Sequence, residues 1–141
     1  MIILDTNVLS EMMRAQRNRT FVRWILATDS GEFVTTTVAQ AEILFGVALL
    51  PEGRRRTLLA GAVKQMFAED FAGRILPFDS ASAEQYAALA AQRRGLGRPM
   101  APFDAQIAAI ARSRNAVLAT RNIKDFMDCD VRLVNPWEAQ V

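Results

Sequence analysis

Histidine is missing from this chain of 141 residues, and its absence excludes a good deal. Ser-His-Asp and Cys-His nucleophilic catalysis need an imidazole, and nearly all zinc sites use one. Any metal held here has to be held by oxygen, which favours Mg²⁺ or Mn²⁺. Cysteine is almost absent: Cys129 stands alone. One thiol rules out an intramolecular disulfide framework and is compatible with a reducing cytoplasm. Lysine is scarce too, with only Lys64 and Lys124 beside fifteen arginines. Arginine pairs bidentately with phosphate and stacks on bases, but a GC-rich coding bias produces the same Arg- and Ala-rich composition. A pI of about 9.2 on a net charge of +2 therefore leaves a nucleic-acid partner open. No apolar run approaches the ~18 residues of a membrane span. The N-terminus lacks the basic segment of a secretory signal, so none is expected. Repeats, low-complexity tracts and linkers are also absent.

What is present is hydrophobic material: 51% of residues are apolar and mean hydropathy is +0.08. That is enough for a substantial core in a single domain spanning residues 1–141. The first seven residues, M-I-I-L-D-T-N, are the most informative stretch. Met1 to Leu4 read as a fully buried strand that runs directly into Asp5. Ligands of open α/β sheets bind at the carboxyl ends of the strands, so Asp5 is either a turn-former or a functional acid.

Alternation continues along the chain. Residues 1–5 read as a strand, about 19–28 as a helix with Phe21, Ile25 and Leu26 at helical spacing, and 33–37 (F-V-T-T-T) as a β-branched strand. Residues 38–50 form a long apolar helix broken at Pro51, Glu52 and Gly53. Residues 54–71 read as another helix and 74–78 as a short strand. Asp79 or Ser80 caps an Ala-rich helix running through Arg94. A loop at 95–102 precedes a helix over 103–114, and residues 116–119 and 131–134 complete the strands. Such βα alternation predicts a parallel sheet covered by helices.

Three carboxylates sit badly in this pattern. Asp5 ends a buried strand. Glu42 lies on an apolar helix, with Val38, Ala39, Phe45 and Gly46 three and four residues away. Asp104 opens the largely apolar helix F-D-A-Q-I-A-A-I-A. Each has an ordinary alternative: Asp5 with Thr6 as a turn cap, Asp104 after Pro102 as a first-turn acid. Glu42 has the weakest one, because a buried carboxylate is costly without a cation or an Arg partner. Together they point to a shared cation, which relieves the mutual rise in pKa of clustered acids. A further polar cluster, Thr120, Arg121, Asn122 and Asp125, follows the strand at 116–119. Asn122 and Asp125 either face the same pocket as Asp5 or cap a short helical turn.

The chain resembles the PIN-domain proteins, in particular the VapC-type toxins of type II toxin–antitoxin modules and their FitB-like, plasmid-stability subgroup. The resemblance is carried in order by I-L-D-T-N-V-L-S-E (3–11), T-V-A-Q-A-E-I-L-F-G-V (37–47), F-A-G-R-I-L-P-F-D (71–79), D-A-Q-I-A-A-I-A (104–111), L-A-T-R-N-I-K-D-F (118–126) and V-N-P-W (134–137). It implies a three-layer α/β/α sandwich with a mostly parallel sheet. It also implies Mg²⁺- or Mn²⁺-dependent hydrolysis of RNA phosphodiesters, with Asp5, Glu42, Asp104 and Asn122 as the catalytic set and the metal on Asp5 and Asp104. Many members carry Asp where this chain has Asn122; the amide adds no charge, and Asp125 is a possible local substitute. Thr6 and Asn122 would orient groups around the metal. Arginines would hold the RNA backbone: Arg121 is nearest in sequence, Arg93, Arg94 and Arg98 are further candidates, and Arg54 to Arg56 read as a solvated helix start. The implied partners are a small antitoxin, a second copy of the toxin and, through the antitoxin, DNA. Two other readings stand beside this one. A phosphatase of the haloacid-dehalogenase type also starts with a strand ending in Asp, but residue 7 is Asn and Glu42 goes unexplained. A weakly active protein that serves mainly as the partner of a DNA-binding antitoxin fits the neutral Asn122.

Overall fold

The computed structural model describes residues 1–140. In chain order its elements are β1 (Ile2–Leu4), α1 (Thr6–Met12), α2 (Arg19–Ala27), β2 (Phe33–Thr36), α3 (Thr37–Ala48), α4 (Arg54–Gln65), β3 (Ile75–Leu76), α5 (Ser80–Gly95), α6 (Pro102–Ser113), β4 (Val117–Ala119) and β5 (Arg132–Val134). The five strands form one sheet in the order β3-β2-β1-β4-β5, and every pairing is parallel.

The apolar N-terminus takes the central place because both of its faces have to be covered. Successive side chains of a strand point to opposite faces. Ile3, Val34 and Leu118 accordingly pack with Leu89, Ile107 and Ile110 of α5 and α6. Their neighbours Leu4, Phe33 and Ala119 pack on the other side with Val8, Leu9, Phe21, Ile43 and Val63 of α1 to α4. The result is the expected three-layer α/β/α arrangement.

The predicted elements all appear, most of them trimmed by a residue or two at the ends. The exception is the stretch 6–18, which carries α1, an element the sequence pattern does not announce. Asp5 caps it, accepting a hydrogen bond from Thr6 N at 2.8 Å. The single helix expected over 54–71 instead changes gauge after Gln65, and Met66–Asp70 form a π-helical turn. Met66, Phe67 and Phe71 all reach the core from this turn, and its wider winding brings positions five apart closer to one line than a regular helix does.

Topology determines where a site can form. From β1 the chain passes outward through β2 and β3, then returns to the other side of β1 for β4 and β5. The strand order therefore reverses between β1 and β4, and the crevice beyond their carboxyl ends is where such sheets bind ligands. Asp5 leaves β1 at that point, and Thr120 to Asn122 leave β4 beside it.

Candidate active site

A cleft of about 430 Å³ opens at this switch point, lined by Asp5, Glu42 and Asp104 together with Asn7, Asn122 and Arg121 among others. The three carboxylates that fit the sequence pattern poorly thus come from three separate elements to one cavity.

Asp5 is 4% exposed and its two oxygens have different duties. Oδ1 caps α1 by accepting from Thr6 N, while Oδ2 accepts from the Thr120 hydroxyl at 2.8 Å. Asp5 is thus the turn cap the sequence allows, and because Oδ1 carries the cap, its other oxygen is turned toward Thr120, with Asp5 itself lining the cleft. Burial is the main influence raising the Asp5 carboxyl above its ordinary value. The hydrogen bonds from Thr120 and Thr6 oppose that rise, and the charges of Glu42 and Asp125 add to it.

Glu42 sits on the second turn of α3 and is half-buried rather than enclosed. Its Oε1 accepts from the Thr6 hydroxyl at 2.8 Å. Thr6 consequently touches both acids, with its backbone N–H on Asp5 and its side chain on Glu42.

Asp104 lies in the first turn of α6, two residues after Pro102. The residue in the N-cap position is Ala101, and no cap hydrogen bond is made by a side chain. Asp104 is therefore the first-turn acid the sequence allows, placed where the helix dipole favours a negative charge, but among the described residues no hydrogen bond or ion pair reaches its carboxylate. Its pKa is pushed up to about 6, by burial first and then by the charges of Asp5, Asp125 and Glu42.

Thr120 is the joint of the far wall. Fully buried, it donates to Asp5 and accepts from Asn122 N at 3.1 Å. Asn122 precedes the 3₁₀ turn Ile123–Phe126 but makes no side-chain cap there. Asn122 is exposed and lines both the cleft and the adjoining depression. Asp125 lines the adjoining depression with Asn122 and Asn135, so it acts on the acidic cleft through its charge and not as part of its wall.

The arginines divide differently from the sequence reading. Arg93 is 5% exposed and faces inward. It donates to the carbonyls of Arg98 at 2.8 Å, Asp125 at 3.0 Å and Met127 at 2.8 Å, which fixes two loops, and it does not line the cleft. Arg98 pairs with Asp128, and neither it nor Arg94 lines the cleft. Arg54 to Arg56 open α4 away from the cleft. Arg14 and Arg121 do line it.

A polar stripe on α1 adds to the cleft wall beyond the residues expected from the sequence. Asn7, Ser10, Glu11 and Arg14 share one face of α1 and its exit, all lining the cleft, opposite buried Val8 and Leu9. Helical spacing of these polar residues was the available signal. Glu11 is buried, and its pKa is lowered chiefly by the hydrogen bond from Asn18 N at 2.9 Å, with help from Arg14 and Arg121.

The donor set suits a hard divalent cation. It is all oxygen, its charge is negative, and no cation among the described residues pairs with Asp5, Glu42 or Asp104. No group of three or more acidic or thiol side chains among the described residues is already gathered closely enough to hold an ion. The carboxylates would have to draw together around one.

Comparison with known proteins places this geometry among relatives. The PIN domain family matches residues 2–128. Toxin FitB of Neisseria gonorrhoeae is 38% identical over 137 residues, covering 97% of this chain and 99% of FitB. VapC ribonuclease Y4jK of Sinorhizobium fredii is 36% identical over 138 residues, covering 98% and 99%. The solved structure of FitAB bound to a DNA fragment contains a chain that superposes with a TM-score of 0.93 at 37% identity, covering 100% of this chain and 99% of that one.

Proposed function

Since this chain belongs to the PIN-domain family, in the branch of the VapC and FitB toxins, we propose that it is the toxin of a type II toxin–antitoxin module and a Mg²⁺-dependent endoribonuclease. The observation that carries the reading is the convergence of Asp5, Glu42 and Asp104 on one cleft, with none of the three paired to a cation among the described residues.

Asp5 and Asp104 would hold the metal, either Mg²⁺ or Mn²⁺; burial and the neighbouring acids raise both carboxyls, and a divalent cation would relieve the cost of ionising them together. Bound there, a divalent cation supplies Lewis acidity toward a phosphoryl oxygen and toward water. Glu42 has one oxygen on Thr6 and the other available to orient the attacking water and take its proton. In-line attack of that water on phosphorus breaks the bond to the 3′-oxygen, which leaves as a 3′-hydroxyl on taking up a proton, and the other fragment keeps a 5′-phosphate. Asn122 offers an amide oxygen to the same space but adds no charge. Thr120 positions Asp5 and steadies the backbone at Asn122.

The proposed partners are a small antitoxin and a second copy of this chain, with DNA reached only through the antitoxin. A second reading rests on the neutral Asn122: activity weak enough that the protein serves chiefly as the partner of a DNA-binding antitoxin. The test is purified protein, freed of antitoxin, incubated with RNA. Cleavage in Mg²⁺ that stops with EDTA and is lost in Asp5→Asn supports the nuclease. Protein that binds antitoxin but leaves RNA whole supports the second reading.

A further inference from the structure

Two arginines line the cleft, and they are held in different ways. Arg14 pairs with Glu11 at 3.2 Å. Arg121 pairs with no carboxylate among the described residues, although Asp5, Glu11, Glu42 and Asp104 line the same cavity. Its guanidinium lies instead 5.1 Å from the centroid of the Trp137 ring. Trp137 is in turn anchored by Phe21 of α2, with ring centroids 5.0 Å apart, and by its backbone N–H on Asn135 Oδ1 at 2.9 Å. The backbone of Arg121 is fixed as well, its N–H donating to Asn7 Oδ1 at 3.3 Å. The root and the tip of the side chain are both seated, yet none of the guanidinium N–H groups is taken by a protein acceptor among the described residues.

Cation–π attraction explains how the arginine stays clear of four nearby acids. Stacking on Trp holds a guanidinium without using its hydrogen-bond donors. A planar fork of free donors at the rim of an acidic cleft matches a phosphodiester, whose non-bridging oxygens accept bidentately. Held off the carboxylates, it does not compete with a metal for them. We propose that Arg121, seated on Trp137, is a positioning residue that grips a backbone phosphate of the RNA as the strand enters the cleft. The proposal rests on the ribonuclease reading for its substrate class, and its test separates the two.

A fluorescent single-stranded RNA oligonucleotide is titrated, at several salt concentrations, onto the Asp5→Asn protein with and without Arg121→Gln. Loss of one phosphate contact lowers the slope of log K against log salt by about 0.7, and we expect roughly tenfold weaker binding at low salt. Arg121→Lys and Trp137→Phe keep the charge and should keep the slope, while weakening binding several-fold because the fork or its seat is altered. Melting temperature should be unchanged in Arg121→Gln and Mg²⁺ binding no weaker, since the variant only removes a positive charge from the acidic cleft; a purely structural arginine would lower the melting temperature. An unchanged slope and affinity overturns the proposal. So does loss of antitoxin binding with RNA binding intact, which would assign Arg121 to a protein interface. Cleavage by the protein with Asp5 intact is scored separately: RNA that is bound through Arg121 but never cut would contradict the nuclease reading and leave the phosphate grip standing.

Discussion

At the scale of residues, the site is a balance between acids that oppose one another and hydroxyls that hold them. Asp104 has no hydrogen-bond partner among the described residues, and its pKa is pushed up to about 6 from an ordinary value of 3.8. Between those values the folded chain keeps a proton that the unfolded chain has released. Metal-free protein should therefore lose stability as pH rises from about 5 to about 7. Glu11 acts in the opposite sense, but its lowered pKa places its effect below its ordinary 4.5, outside that interval. Thermal melts in EDTA at the two pH values test this, and excess Mg²⁺ should abolish or reverse the difference, because the cation binds the ionised acids. A metal-free protein that melts higher at the upper pH would contradict the assignment. Asn122→Asp should tighten Mg²⁺ or Mn²⁺ binding and raise cleavage, by adding a full charge to the cleft wall. Without metal the same change should lower the melting temperature, through repulsion with Asp5 and Asp104. Calorimetric titration of the two proteins measures it. Equal affinity would mean that residue 122 plays no part at the metal.

At the scale of elements, the strands and long helices were readable because their apolar patterns leave little choice. M-I-I-L has to be buried on both faces, and F-V-T-T-T favours an extended chain by its branching. The helix α1 escaped because it is one of the shortest and begins immediately at Asp5, so its cap looked like the end of a strand. Asp5, Glu42 and Asp104 were legible as misfits on apolar elements. Thr6 at the join of two acids was visible only as a neighbour, because its contact with Glu42 spans 36 positions in sequence. Arg93 was misread for a physical reason: a charged residue near the C-terminus of a helix usually faces solvent. Here three backbone carbonyls from two loops surround it, and nothing local in the sequence marks them. Arg93→Gln should therefore cost about 2–3 kcal/mol of stability, the scale of losing charge-assisted hydrogen bonds to buried carbonyls. Urea unfolding of the two proteins reads the change. A loss below 0.5 kcal/mol, typical of surface substitutions, would show that the loops are held by other means.

At the scale of the whole molecule, the outer layer is unfinished on one side. The helix α3 is apolar around its circumference, so the sequence calls for cover on every face. Val38, Ala39, Ile43 and Val47 find it in the core. Leu44, Phe45 and Leu49 do not, with Phe45 65% exposed, and Leu58 of α4 is exposed as well. Such a surface fits a partner, either the antitoxin or a second copy. Phe45→Arg should then weaken antitoxin binding or dimerisation at least tenfold without lowering the melting temperature. Sedimentation with and without antitoxin measures it, and unchanged assembly would place the interface elsewhere. No helix among the described residues is long and apolar enough to cross a membrane.

Most rests on the proposal that a divalent cation at the switch point of the sheet, held by Asp5 and Asp104, drives phosphodiester hydrolysis. The most direct measurement is to incubate antitoxin-free protein with total RNA and sequence the new 5′-phosphate ends. Discrete ends should appear with Mg²⁺ and be missing with EDTA or with Asp5→Asn, while that variant keeps its fold by circular dichroism. Ends that form equally in EDTA, or at the normal rate with Asp5→Asn, would contradict it.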